Sequence, residues 1–171
     1  PRVALLNIGA EPEKGDPLRH EAYAALKAAG EAGRVNFTGN IEATDAMMGG
    51  ADVVVADGFT GNIMLKSMEG TAKFLGKALK QMFLSGTKTK LAAAMVKDDL
   101  ASFKKLMDPS EIGGTPFLGI SRPVIKAHGS SDARAIYNAV RQARDFALSG
   151  FIRDIEENIE YMKVASSSEK A

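Results

Sequence analysis

The sequence predicts an α/β fold, a three-layer α/β/α Rossmann-like arrangement around a mostly parallel sheet, with a protruding amphipathic helical segment. Short runs of mostly apolar residues recur along the chain, as expected for strands covered on both faces. Turns rich in glycine and aspartate follow these runs, and longer segments with helical spacing come next. Strands that alternate with helices in this order are typical of a layered α/β fold.

The first half of the chain contains three predicted strands and two predicted helices. Residues 2–8 form the first strand. Asp16 is a good helix cap, Pro17 is a favoured first helical residue, and the alanine-rich helix they begin extends to Ala29. The other predicted elements are a strand over residues 35–38, a buried strand over residues 51–56 and a long helix over residues 60–84.

The second half continues this alternation. Two strands are predicted on either side of a turn at Arg122 and Pro123. Ile136, Val140 and Ala143 then follow one another at helical spacing. The predicted elements are strands over residues 115–120 and 123–127 and helices over residues 131–148 and 151–164. We expect one domain over residues 1–164, with a disordered polar tail over residues 165–171.

Composition excludes several classes of protein. With 45% hydrophobic and 25% charged residues, the chain matches globular proteins rather than disordered ones. Its 22 Lys and Arg against 21 Asp and Glu leave a net charge of +1, which argues against nucleic acid as a partner. Cysteine is absent, so disulfides are excluded and a cytoplasmic location is expected. Because the chain opens inside a strand at Pro1, we expect a fragment of a longer protein.

Ligands of such folds bind beyond the carboxyl ends of the strands, and the turn over residues 57–62 lies there. Asp57, Gly58, Thr60, Gly61 and Asn62 connect a predicted strand to a predicted helix. Glycines in this position bring backbone N–H groups to an anion at the helix N-terminus. The turn therefore predicts a phosphate cradle, and the alternative is an ordinary turn in which Thr60 caps the helix.

Two other loops at the same edge carry candidate side chains. His128 ends a predicted strand, where a proton-transfer or anion-binding group is useful. Ser130 and Ser131 follow it, and either serine can cap the next helix. In the loop over residues 7–15, Lys14 can supply a point charge for phosphate. The alternatives are a structural histidine and a solvated lysine. No cluster of residues has the spacing of metal ligands.

Residues 88–107 form a predicted basic amphipathic helix. Five lysines against two aspartates give this segment a local charge of +3. Such a helix can lie on an anionic membrane surface, or it can pack against a partner helix in a core or a dimer. Both interpretations remain open for its apolar residues, which are Leu91, Met95, Phe103 and Leu106.

Several longer motifs together resemble the PlsX family, the phosphate acyltransferases of bacterial phospholipid synthesis. They are Ala-Asp-Val-Val-Val-Ala-Asp-Gly-Phe-Thr-Gly-Asn-Ile from residue 51, Ile-Gly-Gly-Thr-Pro-Phe-Leu-Gly from residue 112, and Pro-Val-Ile-Lys-Ala-His-Gly-Ser-Ser-Asp-Ala from residue 123. The resemblance runs from about residue 2 to residue 148 and covers the C-terminal part of the family chain.

The resemblance implies transfer of an acyl group from an acyl-carrier-protein thioester to inorganic phosphate, giving acyl phosphate. It implies the isocitrate/isopropylmalate dehydrogenase-like fold found in phosphotransacylases, with a helical protrusion at about residues 85–112. It also implies a cytoplasmic homodimer that contacts an anionic membrane peripherally and passes its product to a glycerol-phosphate acyltransferase. Neither a metal nor an organic cofactor is implied.

Combined with the loops, the resemblance gives a hypothesis for the site. Phosphate is assigned to the turn at residues 57–62 and to Ser130 and Ser131, with Lys14 as its countercharge. Asn62 or His128 is assigned the hydrogen bond to the thioester oxygen, and His128 can alternatively protonate the leaving thiolate.

Two other functions fit parts of the sequence. Phosphotransacylases that use acyl-coenzyme A resemble the chain in the run Gly-Asn-Ile-x-x-Lys from Gly61 to Lys66. A non-catalytic module that binds phosphate or a nucleotide would keep the glycine-rich turns but would need neither Lys14 nor His128. A preference for acyl-coenzyme A as donor would identify the phosphotransacylase, and phosphate binding without turnover would identify the binding module.

Overall fold

The structure is a computed structural model that describes residues 1–106, 111, 113–129 and 131–162. Strands and helices alternate over the first half of the chain, as the sequence predicts. In chain order the elements are β1 (Arg2–Leu6), α1 (Pro17–Glu31), β2 (Asn36–Ile41), α2 (Ala43–Met47), β3 (Val53–Val55), α3 (Gly58–Leu84), α4 (Thr87–Met95), α5 (Lys97–Leu106), β4 (Gly114–Pro116), β5 (Ile125–Ala127), α6 (Ala133–Leu148), α7 (Phe151–Glu157) and α8 (Ile159–Met162).

Two compact units make up the described chain. The first runs from Pro1 to Leu79 and the second begins at Lys80. The assignment of residues 1–164 to one domain stays a prediction, and the predicted polar tail over residues 165–171 lies outside the described residues. Within the described residues, no helix combines the length and the apolar character needed to cross a membrane.

A parallel three-stranded sheet in the order β2-β1-β3 forms the centre of the first unit. Val3 of β1 pairs with Phe37 of β2 and with Val53 of β3. The central strand supplies most of the buried core, which consists of Val3, Ala4, Leu5, Leu6 and Ile41. The predicted α/β class and its parallel sheet are confirmed.

The prediction that the strand at residues 51–56 is buried is wrong. It shortens to β3, in which Val53 is 45% exposed and Val54 is 36% exposed. The reason is its position, since among the described strands β3 pairs with β1 alone and lies at the edge of the sheet. The side chain of Arg2 anchors the start of this edge by donating to both carboxylate oxygens of Asp52.

Helix α1 begins as its sequence predicts. Asp16 is the N-cap and accepts a hydrogen bond from the amide of Arg19 at 2.9 Å, while Pro17 occupies the first helical position. The ring of Tyr23 packs edge-on against Phe37 of β2, with 5.3 Å between ring centroids. This contact places α1 on the sheet and brings its N-terminal turn to the carboxyl end of β1.

In the second unit, β4 and β5 pair antiparallel as a hairpin against α6. Gly113 has a positive φ of 89°, and a side chain there would lie 2.5 Å from the backbone nitrogen of Ala139. A side chain at Gly114 would lie equally close to Ile125. Close packing therefore requires both glycines of the second family motif, Gly113 because its backbone lies directly on α6 and Gly114 because it lies against β5.

Two predicted helices are interrupted. The amphipathic segment divides at Val96 into α4 and α5, and residues 107–110 and 112 of the predicted protrusion lie outside the described residues. The last helix divides at Asn158 into α7 and α8. No proline or glycine marks either break in the sequence. The apolar spacing therefore predicted two continuous helices.

Candidate functional site

Asp57 caps helix α3. Its Oδ1 accepts hydrogen bonds from the amides of Phe59 at 2.9 Å and Thr60 at 3.0 Å. In the alternative of an ordinary capped turn, the cap is Asp57 and not the expected Thr60, because the helix already begins at Gly58; the phosphate cradle stays a prediction. The two amides that a bound anion would use at this turn are thus engaged by a carboxylate of the chain itself.

Arg19 on α1 connects this turn to the first turn of α1. Its guanidinium pairs with Asp16 at 2.7 Å and with Asp57, and it also donates to the hydroxyl of Thr60. The side chain of Arg19 is only 16% exposed. We call Asp16, Arg19, Asp57 and Thr60 the Arg19 cluster, and it holds the N-termini of two helices together at the carboxyl end of the sheet.

The Arg19 cluster also determines the charge of Asp57. Hydrogen bonds from the side chain and the amide of Thr60 lower the pKa of the Asp57 carboxyl to about 2, and the amide of Phe59 and the charge of Arg19 act in the same direction. Hydrogen bonds and a nearby cation favour the ionised form. Asp57 is therefore an anion at neutral pH, which suits a positioning group rather than a proton donor.

The loop that carries Lys14 is held against the end of β1. Asn7 donates from its side-chain amide to the carbonyl of Lys14 at 2.9 Å, and its side-chain oxygen accepts from the amide of Ile8 at 2.8 Å. Gly15 adopts a φ of 100°, and a side chain there would lie 2.7 Å from the same oxygen of Asn7. These contacts fix the backbone of Lys14 next to the strand, and the residue itself is exposed.

The structure brings several of the predicted residues together in the first unit. Gly58, Thr60, Gly61 and Asn62 occupy the first turns of α3. Open space surrounds Gly58, where an added side chain would meet no atom within 4 Å. Asn62 is exposed. Lys14 is not part of α3; it lies in the loop after β1, next to Gly15 and Asp16.

His128 and Ser131 lie in the second unit, after β5. The amide of Ser131 donates to the carbonyl of His128 at 3.0 Å, which closes a tight turn. The predicted serine cap is wrong for Ser131, because Asp132 caps α6 by accepting from the amide of Ala135 at 2.8 Å. Ser130 lies outside the described residues. That this turn and the α3 turn form one site stays a prediction.

The apolar residues of the predicted amphipathic segment are exposed where their side chains are described. Leu91 and Met95 on α4 are 66% and 80% exposed, and Phe103 on α5 is 41% exposed. Leu106 ends α5, and its side chain lies outside the described part. Exposure of this kind suits a lipid surface and a protein partner equally, so both interpretations stay open.

A cleft of about 870 Å³ adjoins the Arg19 cluster and was not predicted from the sequence. We call it the α3 cleft. It runs along one face of α3, and its floor begins at the carboxyl end of β1. The lining residues are Leu6, Asn7, Ile8, Gly15, Asp16, Arg19, Ala43, Met47, Phe59, Thr60, Ile63, Met64, Ser67, Met68 and Thr71.

Sequence reasoning missed Arg19 and the cleft for different reasons. Arg19 lies three residues after Asp16, the cap of α1, and this spacing is a recognisable helical pair. Its second partner, Asp57, is 38 residues away in the chain. Ile63, Met64 and Met68 follow a helical spacing, but such a stripe normally indicates core packing. Among the residues the structure describes, no three His, Asp or Glu side chains converge as a metal site would require.

Comparison with known proteins extends these observations. A family model described as "Fatty acid synthesis protein" matches residues 1–154. The phosphate acyltransferases of Staphylococcus aureus strains Newman and COL are each 49% identical over 159 residues, which is 93% of this chain and 48% of theirs. The chain spans about half the length of the curated relatives it matches. The resemblance to PlsX that the motifs indicate is confirmed.

Proposed function

Because the chain belongs to the fatty acid synthesis protein family, we propose that the protein transfers a fatty acyl group from an acyl-carrier-protein thioester to inorganic phosphate. The observation that carries this proposal is the 49% identity, across 93% of the chain, to proteins named phosphate acyltransferase. The product is an acyl phosphate, and its mixed anhydride keeps the acyl group activated for a later transfer to a glycerol phosphate.

The chemistry needs few groups from the protein. A phosphate oxygen attacks the thioester carbonyl carbon, the carbon–sulfur bond breaks, and the carrier thiolate leaves and takes up a proton. Phosphate is already a nucleophile at neutral pH, so the protein contributes mainly positioning and stabilisation of the oxyanion that forms on the carbonyl oxygen. A cation, oriented hydrogen-bond donors and an acid for the thiolate are sufficient.

In this proposal Lys14 supplies the cation for phosphate. The loop contacts of Asn7 and Gly15 support that role, because they hold the lysine backbone beside the strand end. Phosphate approaches the turn at Gly58, where the surrounding space is open, and not at the amides that Asp57 occupies. Asp57, Thr60 and Gly61 shape this turn. Ser130 and Ser131 are assigned to phosphate from the second turn.

Asn62 and His128 are the candidate groups for the thioester. The exposed side-chain amide of Asn62 in the second turn of α3 supports a role as donor to the carbonyl oxygen. His128 follows directly after β5, a position that supports a role as the same donor or as the acid that protonates the thiolate. The two roles of His128 differ in pH dependence, since only the acid must carry a proton to transfer.

The proposal includes a homodimer that associates peripherally with an anionic membrane and delivers acyl phosphate to a glycerol-phosphate acyltransferase. Exposed apolar side chains on α4 and α5 support it, together with the lysines that surround them. Apolar residues flanked by lysines bind the headgroup region of anionic bilayers. The lysines are Lys88, Lys90, Lys97, Lys104 and Lys105.

The direct test mixes radiolabelled phosphate with an acyl-carrier-protein thioester and measures labelled acyl phosphate. It is run with this chain and with an extended chain. The extended chain also carries a segment that corresponds to the part of the relatives that this chain does not match. Label in acyl phosphate, with the carrier protein preferred to coenzyme A as donor, supports the proposal. A preference for coenzyme A would indicate a phosphotransacylase, and saturable phosphate binding without product would indicate a binding module. Either result contradicts the proposal.

A further inference from the structure

The α3 cleft has a polar end and a long apolar wall. Asn7, Arg19 and Thr60 lie at the carboxyl end of the sheet, whereas Ile63, Met64 and Met68 follow along the helix. Seven lining positions of α3 span from residue 59 to residue 71, and twelve residues of helix extend about 18 Å. The cleft is therefore an elongated groove that leads away from the strand ends.

The lining repeats with the period of the helix. On α3 it comprises Phe59, Thr60, Ile63, Met64, Ser67, Met68 and Thr71, so pairs of neighbours recur every four residues on one face. Ile8 and Met47, which lie outside α3, also line the cleft and are largely exposed. Methionine is flexible and polarizable, which suits a surface that must adapt to a flexible apolar ligand.

Charge at the polar end argues against an anionic ligand in the cleft. The Arg19 cluster contains one guanidinium and two carboxylates, Asp16 and Asp57, and the guanidinium is paired with both. A further carboxylate placed against this cluster inside the cleft would meet a net negative charge, whereas the proposed phosphate position at Gly58, with Lys14 as countercharge, lies outside the lining of the cleft. A neutral ester-like group inside the cleft meets no such repulsion and can accept a hydrogen bond there.

We propose that the α3 cleft binds the fatty acyl chain, with its thioester end at the N-terminal turn of α3 and the hydrocarbon tail along Met64 and Met68 toward Thr71. The inference rests on the proposed acyl transfer and identifies where the acyl group lies. A volume of about 870 Å³ falls within the ~300–1,000 Å³ typical of ligand sites. An acyl chain fills an elongated apolar groove, which a phosphate ion or a nucleotide does not.

Calorimetric titration of the extended chain with straight-chain acyl thioesters of N-acetylcysteamine, in the absence of phosphate, tests the inference without catalysis. Each methylene buried in the cleft lowers the dissociation constant about fourfold, until the tail reaches the end of the groove. Free fatty acids of equal length bind more weakly than the thioesters because of their charge. A dissociation constant that does not change with chain length overturns the inference.

Two variants locate the tail. Met68→Trp fills the middle of the groove, so long thioesters lose at least tenfold in affinity while the shortest keep theirs. Met68→Ala removes apolar contacts from the same place, so long thioesters bind more weakly while the shortest keep their affinity, which tests the inference even if the tryptophan variant fails to fold. Leu65→Trp is the matched control, because Leu65 is exposed on α3 and lies outside the cleft.

The results also separate this inference from the proposed function. Chain-length-dependent binding that Met68 variants alter, without acyl phosphate from the extended chain, supports the acyl site and contradicts the transfer reaction. Acyl phosphate production whose chain-length profile is identical in wild type, Met68→Trp and Leu65→Trp supports the transfer reaction and overturns the acyl site.

Discussion

Arg19 and Asp57 are 38 residues apart in the chain, and their ion pair joins the first turn of α1 to the cap of α3. Asp57 meets four requirements at once, because it caps a helix, pairs with Arg19, bonds to Thr60 and remains ionised at neutral pH. The turn at the carboxyl end of the sheet is therefore rigid before any substrate binds. Rigid positioning of this kind is what acyl transfer to a competent nucleophile requires.

The Arg19 cluster predicts an acid-sensitive stability. The pKa of Asp57 falls from an ordinary value of 3.8 to about 2 in the folded chain, so the unfolded chain binds its proton first as the pH falls. The stabilisation is complete above about pH 3.8 and is lost as the pH falls through about 2. Asp52, paired with Arg2, follows the same course.

Asp57→Asn tests this prediction, since asparagine keeps the cap but removes the charge. We expect lower stability at neutral pH and a smaller loss of stability between about pH 4 and pH 2. Urea unfolding at a series of pH values measures both quantities. Asp98→Asn controls for the loss of one negative charge at an exposed position. A variant whose stability falls as steeply with acid as the wild type contradicts the account of Asp57.

A second prediction concerns His128. Removal of one oriented donor to an oxyanion typically lowers turnover by ~10²–10³, so His128→Ala in the extended chain should lose acyl phosphate formation to that extent and keep its fold. His20→Ala is the matched control, because His20 is exposed on α1 and its described side-chain hydrogen bond is to the loop carbonyl of Glu13. Equal activity of the two variants would remove His128 from the site.

Asn62→Ala provides the corresponding test on the first unit. The expected loss of turnover is again ~10²–10³, with thioester binding largely retained because the donor acts on the oxyanion and not on the acyl chain. Turnover is measured with saturating carrier-protein thioester, and circular dichroism checks that α3 is intact. A change confined to KM would show that Asn62 binds the ground state and does not stabilise the oxyanion.

The exposed apolar residues of α4 and α5 predict a third behaviour. Leu91→Glu and Phe103→Glu should each release the protein from anionic vesicles and leave the proposed dimer intact, because the charge opposes insertion into the headgroup region. Sedimentation with vesicles of phosphatidylglycerol measures release, and Met48→Glu, at a similarly exposed position in the first unit, is the control. Loss of folding or of the dimer would instead favour packing against a protein partner.

Gly113 and Gly33 both have a positive φ, but replacing them by alanine should lower the free energy of unfolding by different amounts. Gly113→Ala should destabilise the chain by about 3 kcal/mol, since it adds both backbone strain and overlap with α6. Gly33→Ala has the same strain in open space and should cost about 1 kcal/mol. Equal losses in urea unfolding would show that close packing on α6 is not the reason for the glycine.

Much of the fold was predictable because its signals are local. The apolar run of β1, the cap at Asp16 and the proline at residue 17 all act within a few residues of one another. The exposure of β3 was not predictable, because it depends on the order of the strands in the sheet. Breaks at Val96 and Asn158 have no local signal.

The candidate site divides in the same way. The turn at Gly58 and Asn62 was visible as a glycine-rich segment between a strand and a helix. The sequence did not reveal that Asp57 is the cap, because aspartate and threonine are both good helix caps. Only the residue at which the helix begins shows which of the two is the cap. The ion pair with Arg19 and the α3 cleft depend on contacts between distant residues, which a single sequence does not reveal.

The transfer of an acyl group to phosphate is tested most directly by following the oxygen atoms. The extended chain is given acyl-carrier-protein thioester and phosphate labelled with ¹⁸O at all four oxygens, and the products are weighed by mass spectrometry. Attack by phosphate predicts an acyl phosphate that retains every labelled oxygen, including the one that bridges carbon and phosphorus. Release of the acyl group only as unlabelled fatty acid would show that water is the acceptor and would contradict the account.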